Sequence, residues 1–273
     1  QSRHTVGDRL IAPFILGCGD CPACQTGASN TCESAIVPGF GTAGAYAEFV
    51  AVPFDHNLVH LPETMSPALA AGLGCRVTTA WHALTDRAGV RAGEWVAVHG
   101  TGGVGLSALL LAKMLGARVV VVDIVEEKLA HAVQLGADAA VNAAQQDVAE
   151  AIRDITGGGA QVSIEALGIE ATTNASVACL ATLGRHVHVG MPAGDGMMQI
   201  NMRASYAKQL AFYGTRGMPS WKYPSLLGMI ERGDVDLSPM LDREVSLSGA
   251  SAELRAMKGP TPPGTAVITD FTR

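Results

Sequence analysis

Residues 95–123 read WVAVHGTGGVGLSALLLAKMLGARVVVVD. An apolar run, Trp95 to His99, leads into Gly100, Gly102 and Gly105 at the spacing G-x-G-x-x-G. A helical stretch follows, with Leu106, Leu109, Leu110 and Met114 on one face, and Gly116 closes it. A second apolar run, Val119 to Val122, stops at Asp123. Each part has a physical job in a dinucleotide-binding unit. Gly100 lets the chain turn sharply off the strand. Gly102 leaves room for a pyrophosphate against the backbone. Gly105 lets helix and strand pack closely. The N–H groups at the positive helix end suit phosphate oxygens. Asp123 stands where a carboxylate can accept both ribose hydroxyl protons of an adenosine. A glycine pattern alone is weak evidence. Here strand, glycines, helix, strand and acid occur in order, which a glycine-rich turn in some other α/β protein would match only by coincidence.

The rhythm continues downstream. Candidate strands are 95–99, 119–122, 139–141, 161–165, 186–190 and 209–214, with candidate helices at 103–115, 126–135, 147–156 and 171–182. This alternation implies an α/β fold: a doubly wound, six-stranded parallel sheet with right-handed crossovers. A helix at 220–232, a strand at 243–247, a helix from 250, a loop at 259–264 and a strand at 265–269 do not extend the rhythm. The simplest arrangement returns them to the first domain. Upstream, VGDRL reads as a turn entering a strand, and IAPFILG (11–17) and GAYAEFVAVP (44–53) read as strands. Residues 55–62 read as loop and short strand, and 66–74 as a helix capped by Ser66, with another helix across VTTAWHAL (77–84). The expected domains are 77–216 for the nucleotide, and 1–76 together with 217–273 for the remainder.

The 273 residues suffice for two medium domains, and the 48% hydrophobic content can fill sizeable cores. A formal charge of -6 argues against a nucleic-acid surface. No run reaches the length of a membrane span and no signal peptide is visible, so a cytoplasmic protein is expected. Four of six cysteines cluster, as CGDCPAC (Cys18, Cys21, Cys24) followed by Cys32. Such thiols do not pair neatly as disulfides but can converge on one tetrahedral zinc, closed and therefore structural. An iron–sulfur run would have a nearer fourth cysteine followed by proline, whereas Glu33 follows Cys32. Reduced, unliganded thiols are the remaining reading. Cys179 reads as core, His186 and His188 share one strand face, and no H-x-x-x-H ligand pair occurs.

The cysteine lobe, GLGC at 72–75, TTAWHAL at 78–84, GTGGVG at 100–105 and VVVVDI at 119–124, in that order, resemble the zinc-dependent alcohol dehydrogenases of the medium-chain dehydrogenase/reductase superfamily. The resemblance covers essentially the whole chain. It implies a GroES-like, mainly β catalytic domain carrying the structural zinc lobe beside the Rossmann domain. It assigns Cys18, Cys21, Cys24 and Cys32 to structural zinc and Cys75 to catalytic zinc. Thr79 and Val104 would flank the nicotinamide. Gly100, Gly102, Gly103 and Gly105 would hold the pyrophosphate, and Asp123, Ile124 and Lys128 the ribose. Leu167 and Gly168 would lie along the adenosine ribose, and Gly190, Thr215 and Gly217 would contact the nicotinamide end.

The resemblance implies a zinc-containing oxidoreductase that moves a hydride between NAD and an alcohol, giving an aldehyde or ketone. A polyol or amino-alcohol dehydrogenase, or a nucleotide-binding fragment without turnover, are the alternatives. NAD is favoured over NADP because Asp123 would repel a 2′-phosphate and Ile124 offers no positive charge. A homodimer or homotetramer is expected, with the strand at 210–215 as the sheet edge. One departure is large. The family's G-x-C-x-S/T-D motif and His-Glu pair, which supply the other catalytic zinc ligands, precede the segment matched by Gln1. Roughly the first fifth of a family chain is thus expected to be lacking, leaving catalysis weak and apolar surface exposed.

Overall fold

Val96, Ala97 and Val98 have no exposed surface, and neither do Val119, Val120 and Val121. Strands covered on both faces need apolar side chains at every position, hence the unbroken runs. The two pair in parallel register, Val96 opposite Val119 and His99 opposite Val122. The computed structural model describes residues 2–257 and 264–271. Its strands are β1 (Leu10–Ile11), β2 (Val59–His60), β3 (Trp95–His99), β4 (Arg118–Asp123) and β5 (Ala139–Asn142), then β6 (Ala160–Glu165), β7 (Leu180–His188), β8 (Ala211–Gly214), β9 (Leu241–Ser246) and β10 (Thr265–Asp270). Its α-helices are α1 (Pro22–Gln25), α2 (Pro67–His82), α3 (Gly103–Met114), α4 (Glu126–Gln134) and α5 (Val148–Thr156), then α6 (Glu170–Ala178), α7 (Met202–Lys208), α8 (Tyr223–Glu231) and α9 (Ala250–Ala256).

Contacts divide the chain into two units, 79–215 and 1–78 with 216–273. In the first, six parallel strands lie in the order β5-β4-β3-β6-β7-β8. The order reverses between β3 and β6, and ligands of such sheets bind outside the carboxyl ends of strands at that point. In the second unit β1 pairs antiparallel with β2, and β9 lies parallel to β10. Ser66 accepts the Leu69 N–H at the start of α2, and the helix breaks at Gly74.

Several elements differ from the sequence reading. Residues 44–53 form no strand. No described strand lies alongside to take up their backbone groups, and Tyr46 and Phe49 stand exposed. Of 11–17, only Ile11 lies in a strand and Leu16 makes a single bridge to Ile36. The helix expected to reach 182 ends at Ala178, because the Cys179 carbonyl accepts the Ala160 N–H and draws the chain onto the sheet. β7 therefore starts six residues early, with Leu183 in the left-handed region (φ 61°) where the register slips. Helix α7 precedes β8 where no element was expected. Most of the expected loop 259–264 lies outside the described residues.

Candidate functional site

The carboxyl ends of β3, β4 and β6 carry the candidate dinucleotide surface. Gly100 turns with φ 94°, in the left-handed region that favours glycine. A Cβ on Gly105 would lie 1.8 Å from the Gly100 carbonyl oxygen, so α3 can start this close to β3 only on glycine. A Cβ on Gly102 would meet nothing within 4 Å, leaving open space over the backbone at the head of α3. Beside it, Gly168 and Gly190 pass so closely that a Cβ on Gly190 would fall 2.0 Å from the Gly168 nitrogen. This is a cradle of bare backbone at a helix N-terminus, which fits a pyrophosphate.

Asp123 is half-buried and heavily bonded. Its Oδ2 accepts the Thr101 N–H and hydroxyl at 2.9 and 2.7 Å, and its Oδ1 accepts the N–H groups of Ile124 and Val125 at 2.8 and 3.2 Å. Burial opposes ionisation, but these bonds outweigh it and hold the carboxyl below the usual carboxylate range. All four acceptor directions are therefore engaged, and a ribose would share or displace some of these donors. Thr101, 3% exposed, is thus part of the site. In the sequence it was the one residue of the 100–105 stretch left without a role.

Glu165 was also missed. At the end of β6 its carboxylate is fully buried and accepts the N–H groups of Leu167 and Gly168 and the Thr172 hydroxyl. Its carbonyl accepts the N–H groups of Val189 and Gly190. One acidic residue thus organises both loops assigned to the cofactor. A glutamate closing the candidate strand at 161–165 was the only available signal.

In the other unit the four cysteines converge. The ligand atoms of Cys18, Cys21, Cys24 and Cys32 all lie within 4.8 Å of one another. Sγ of Cys32 stands 3.7 Å from that of Cys21 and 3.6 Å from that of Cys18. A tetrahedral zinc with bonds of about 2.3 Å sets sulfurs about 3.8 Å apart. A disulfide would need about 2.05 Å. The donor set and its spacing fit zinc. Backbone N–H groups of Asp20 and Cys21 lower the Cys18 thiol to about 7, while burial raises Cys24 to about 12. Four thiolates there require a cation's charge. Buried Asn57 brackets the lobe by bonding both the N–H and the carbonyl of Gly17 at 3.0 Å, and Asn30 donates to the Arg216 carbonyl at 2.7 Å. Neither asparagine stood out in the sequence.

The other predicted positions are less gathered. Cys75 is exposed and belongs to neither group of three or more close ligands among the described residues. A catalytic zinc needs three protein ligands and an open position, so the described residues around Cys75 do not fit one. His56 is engaged with the Gly17 carbonyl and His82 with Asp86. In the sheet unit, Thr79 is buried, Gly103, Val104 and Lys128 are half-buried, and Ile124 and Leu167 are exposed. Thr215 Oγ1 is shut away from solvent without a hydrogen-bond partner among the described residues. Gly217, in the other unit, has φ 54° and packs against Phe14 and Ile15.

Comparison with known proteins agrees with the fold. The family model of the alcohol dehydrogenase GroES-like domain matches residues 1–63, and that of the zinc-binding dehydrogenases matches 103–232. An alcohol dehydrogenase of Geobacillus stearothermophilus is 40% identical over 154 residues, 56% of this chain and 45% of the relative. The chain spans about half the length of the curated relatives it matches. Among solved structures, the alcohol dehydrogenase TADH from Thermus sp. ATN1 superposes with a TM-score of 0.87 at 29% identity, over 93% of this chain and 75% of that one. An NAD-dependent alcohol dehydrogenase gives 0.83 at 28% identity, over 94% and 74%. The chain belongs to the zinc-type alcohol dehydrogenase family of medium-chain dehydrogenase/reductases, with a Rossmann fold and a GroES-like portion.

Proposed function

We propose that this chain is the NAD-binding and structural-zinc part of an oxidoreductase that interconverts an alcohol with its aldehyde or ketone. The observation that carries the reading is the glycine cradle beside an ionised Asp123 at the switch point of the sheet. Gly100, Gly102, Gly103 and Gly105 would hold the pyrophosphate by their backbone, with the positive end of α3 behind them. Asp123, aided by Lys128, would bind the adenosine ribose, and Leu167, Gly168 and Gly190 would border it. Thr79, Val104, Thr215 and Gly217 are proposed for the nicotinamide end. NAD, when bound, supplies the hydride acceptor. Cys18, Cys21, Cys24 and Cys32 would hold one structural zinc.

Polypeptide 1–273 by itself should therefore bind NAD yet turn over alcohol poorly. Titration of NAD against tryptophan fluorescence, beside an assay on an alcohol panel with zinc supplied, tests both halves. Failure to bind NAD would overturn the reading. Brisk turnover would show that Cys75 acquires partners, with His56 or His82 the first to examine. The proposed partners are a small alcohol or carbonyl substrate and a second copy of the chain, with neither nucleic acid nor membrane. Among the described residues no helix is long and apolar enough to cross a membrane.

A further inference from the structure

Outside the cysteine lobe, one other group of metal-ligating side chains is close-set among the described residues. His4, Asp8 and His60 bring ligand atoms within 4.8 Å of one another. Local structure explains the meeting. β1 pairs with β2 so that Leu10 faces His60, and the turn before β1 carries His4 and Asp8. The two imidazole rings lie 5.0 Å apart, tilted by 59°. Two imidazoles and a carboxylate suit divalent transition cations such as zinc or nickel, rather than magnesium, which prefers oxygen donors.

The state of His4 is the strongest argument. Its Nε2 lies 3.2 Å from the Asp55 carbonyl oxygen. That oxygen can only accept, so Nε2 donates to it, and in the neutral ring this leaves the lone pair on Nδ1. Nδ1 is shut away from solvent and has no hydrogen-bond partner among the described residues. A histidine that donates one ring N–H to a backbone carbonyl and leaves the other nitrogen unprotonated is poised as a metal ligand. Asp8 is held as a carboxylate by Thr5, whose N–H and hydroxyl each reach one of its oxygens, at 2.9 and 3.0 Å. Each oxygen keeps a further lone pair. Asp55, which accepts the Arg3 N–H at 3.1 Å, adds negative charge beside His4.

We propose that His4, Asp8 and His60 form a second, surface site for a divalent transition cation, one that ties the turn before β1 to β2. It is independent of the dinucleotide surface and of Cys75. Three protein ligands leave a coordination position open to solvent, so binding should be weaker than in the closed cysteine lobe.

Nickel is the probe, titrated calorimetrically into the full chain with zinc content fixed at one equivalent by elemental analysis. One equivalent should bind and raise the melting temperature. His60→Gln and Asp8→Asn should each weaken nickel at least about tenfold and abolish the thermal shift. Both residues are exposed, so zinc content and melting without nickel should match the parent. No nickel binding by the parent, or equal binding and thermal shift in both variants, would overturn the site.

Discussion

Asp123 was legible as a carboxylate at a strand tip, but its bonding was not. Thr101 spends a hydroxyl and an N–H on it. Two substitutions separate the roles. Asp123→Ser should weaken NAD by about tenfold or more, since charged hydrogen bonds contribute roughly 1.5–3 kcal/mol. It should also narrow the preference against NADP, whose 2′-phosphate would face a carboxylate at a repulsion of about 4 kcal/mol at 4 Å and effective dielectric 20. Thr101→Val should weaken NAD less and keep the preference, because the charge remains. Parallel NAD and NADP titrations measure both, and NADP binding as tight as NAD in the parent would contradict the assignment.

Among the elements, the strand–glycine–helix unit and the cysteine lobe depend on single contacts. Gly105→Ala would push a methyl into the Gly100 carbonyl and should destabilise the sheet unit by about 1–3 kcal/mol or more, read by chemical denaturation. Gly102→Ala meets no such obstacle, so it should leave stability nearly intact while weakening NAD. Cys21→Ser should lose the zinc and make residues 18–32 protease-sensitive, because structural zinc contributes roughly 10–16 kcal/mol in small zinc peptides. Elemental analysis with limited proteolysis checks this. Iron in the parent protein would refute the zinc assignment.

For the molecule as a whole, acidity and association are the levers. Burial lowers His99 to about 3 and His186 to about 4, both inside the sheet unit. Unfolded, each would take a proton near pH 6.5, so the unfolded state binds more protons between about pH 6.5 and 4. Stability should accordingly fall as pH drops through that window, by on the order of 1 kcal/mol per pH unit for each histidine. Denaturation at several pH values should show the slope, and His99→Leu should flatten it. β8 closes the sheet with Phe212 partly exposed, an edge that invites pairing with a second copy. Light scattering at micromolar concentration should give about twice 28.2 kDa, and a clean monomer would contradict the pairing.

Apart from helix α7, the order of strands and helices from Trp95 to Gly214 was determined by sequence alone. Unbroken apolar runs, amphipathic helices and glycines at turns are local signals, and the right-handed crossover leaves few ways to connect them. The cysteine spacing likewise foretold convergence, since four thiols so near in the chain have few other uses. Tertiary structure decided the rest. Whether 44–53 pairs depends on a neighbour that no window of sequence contains. Where α6 ends depends on the edge of β6 claiming the Cys179 carbonyl. Glu165 became the organiser of two loops, and His4 the partner of His60, only because the fold brought segments far apart in the chain together. Hydrogen bonds and ligand sets are made between segments, whereas periodicity and turns are written within them.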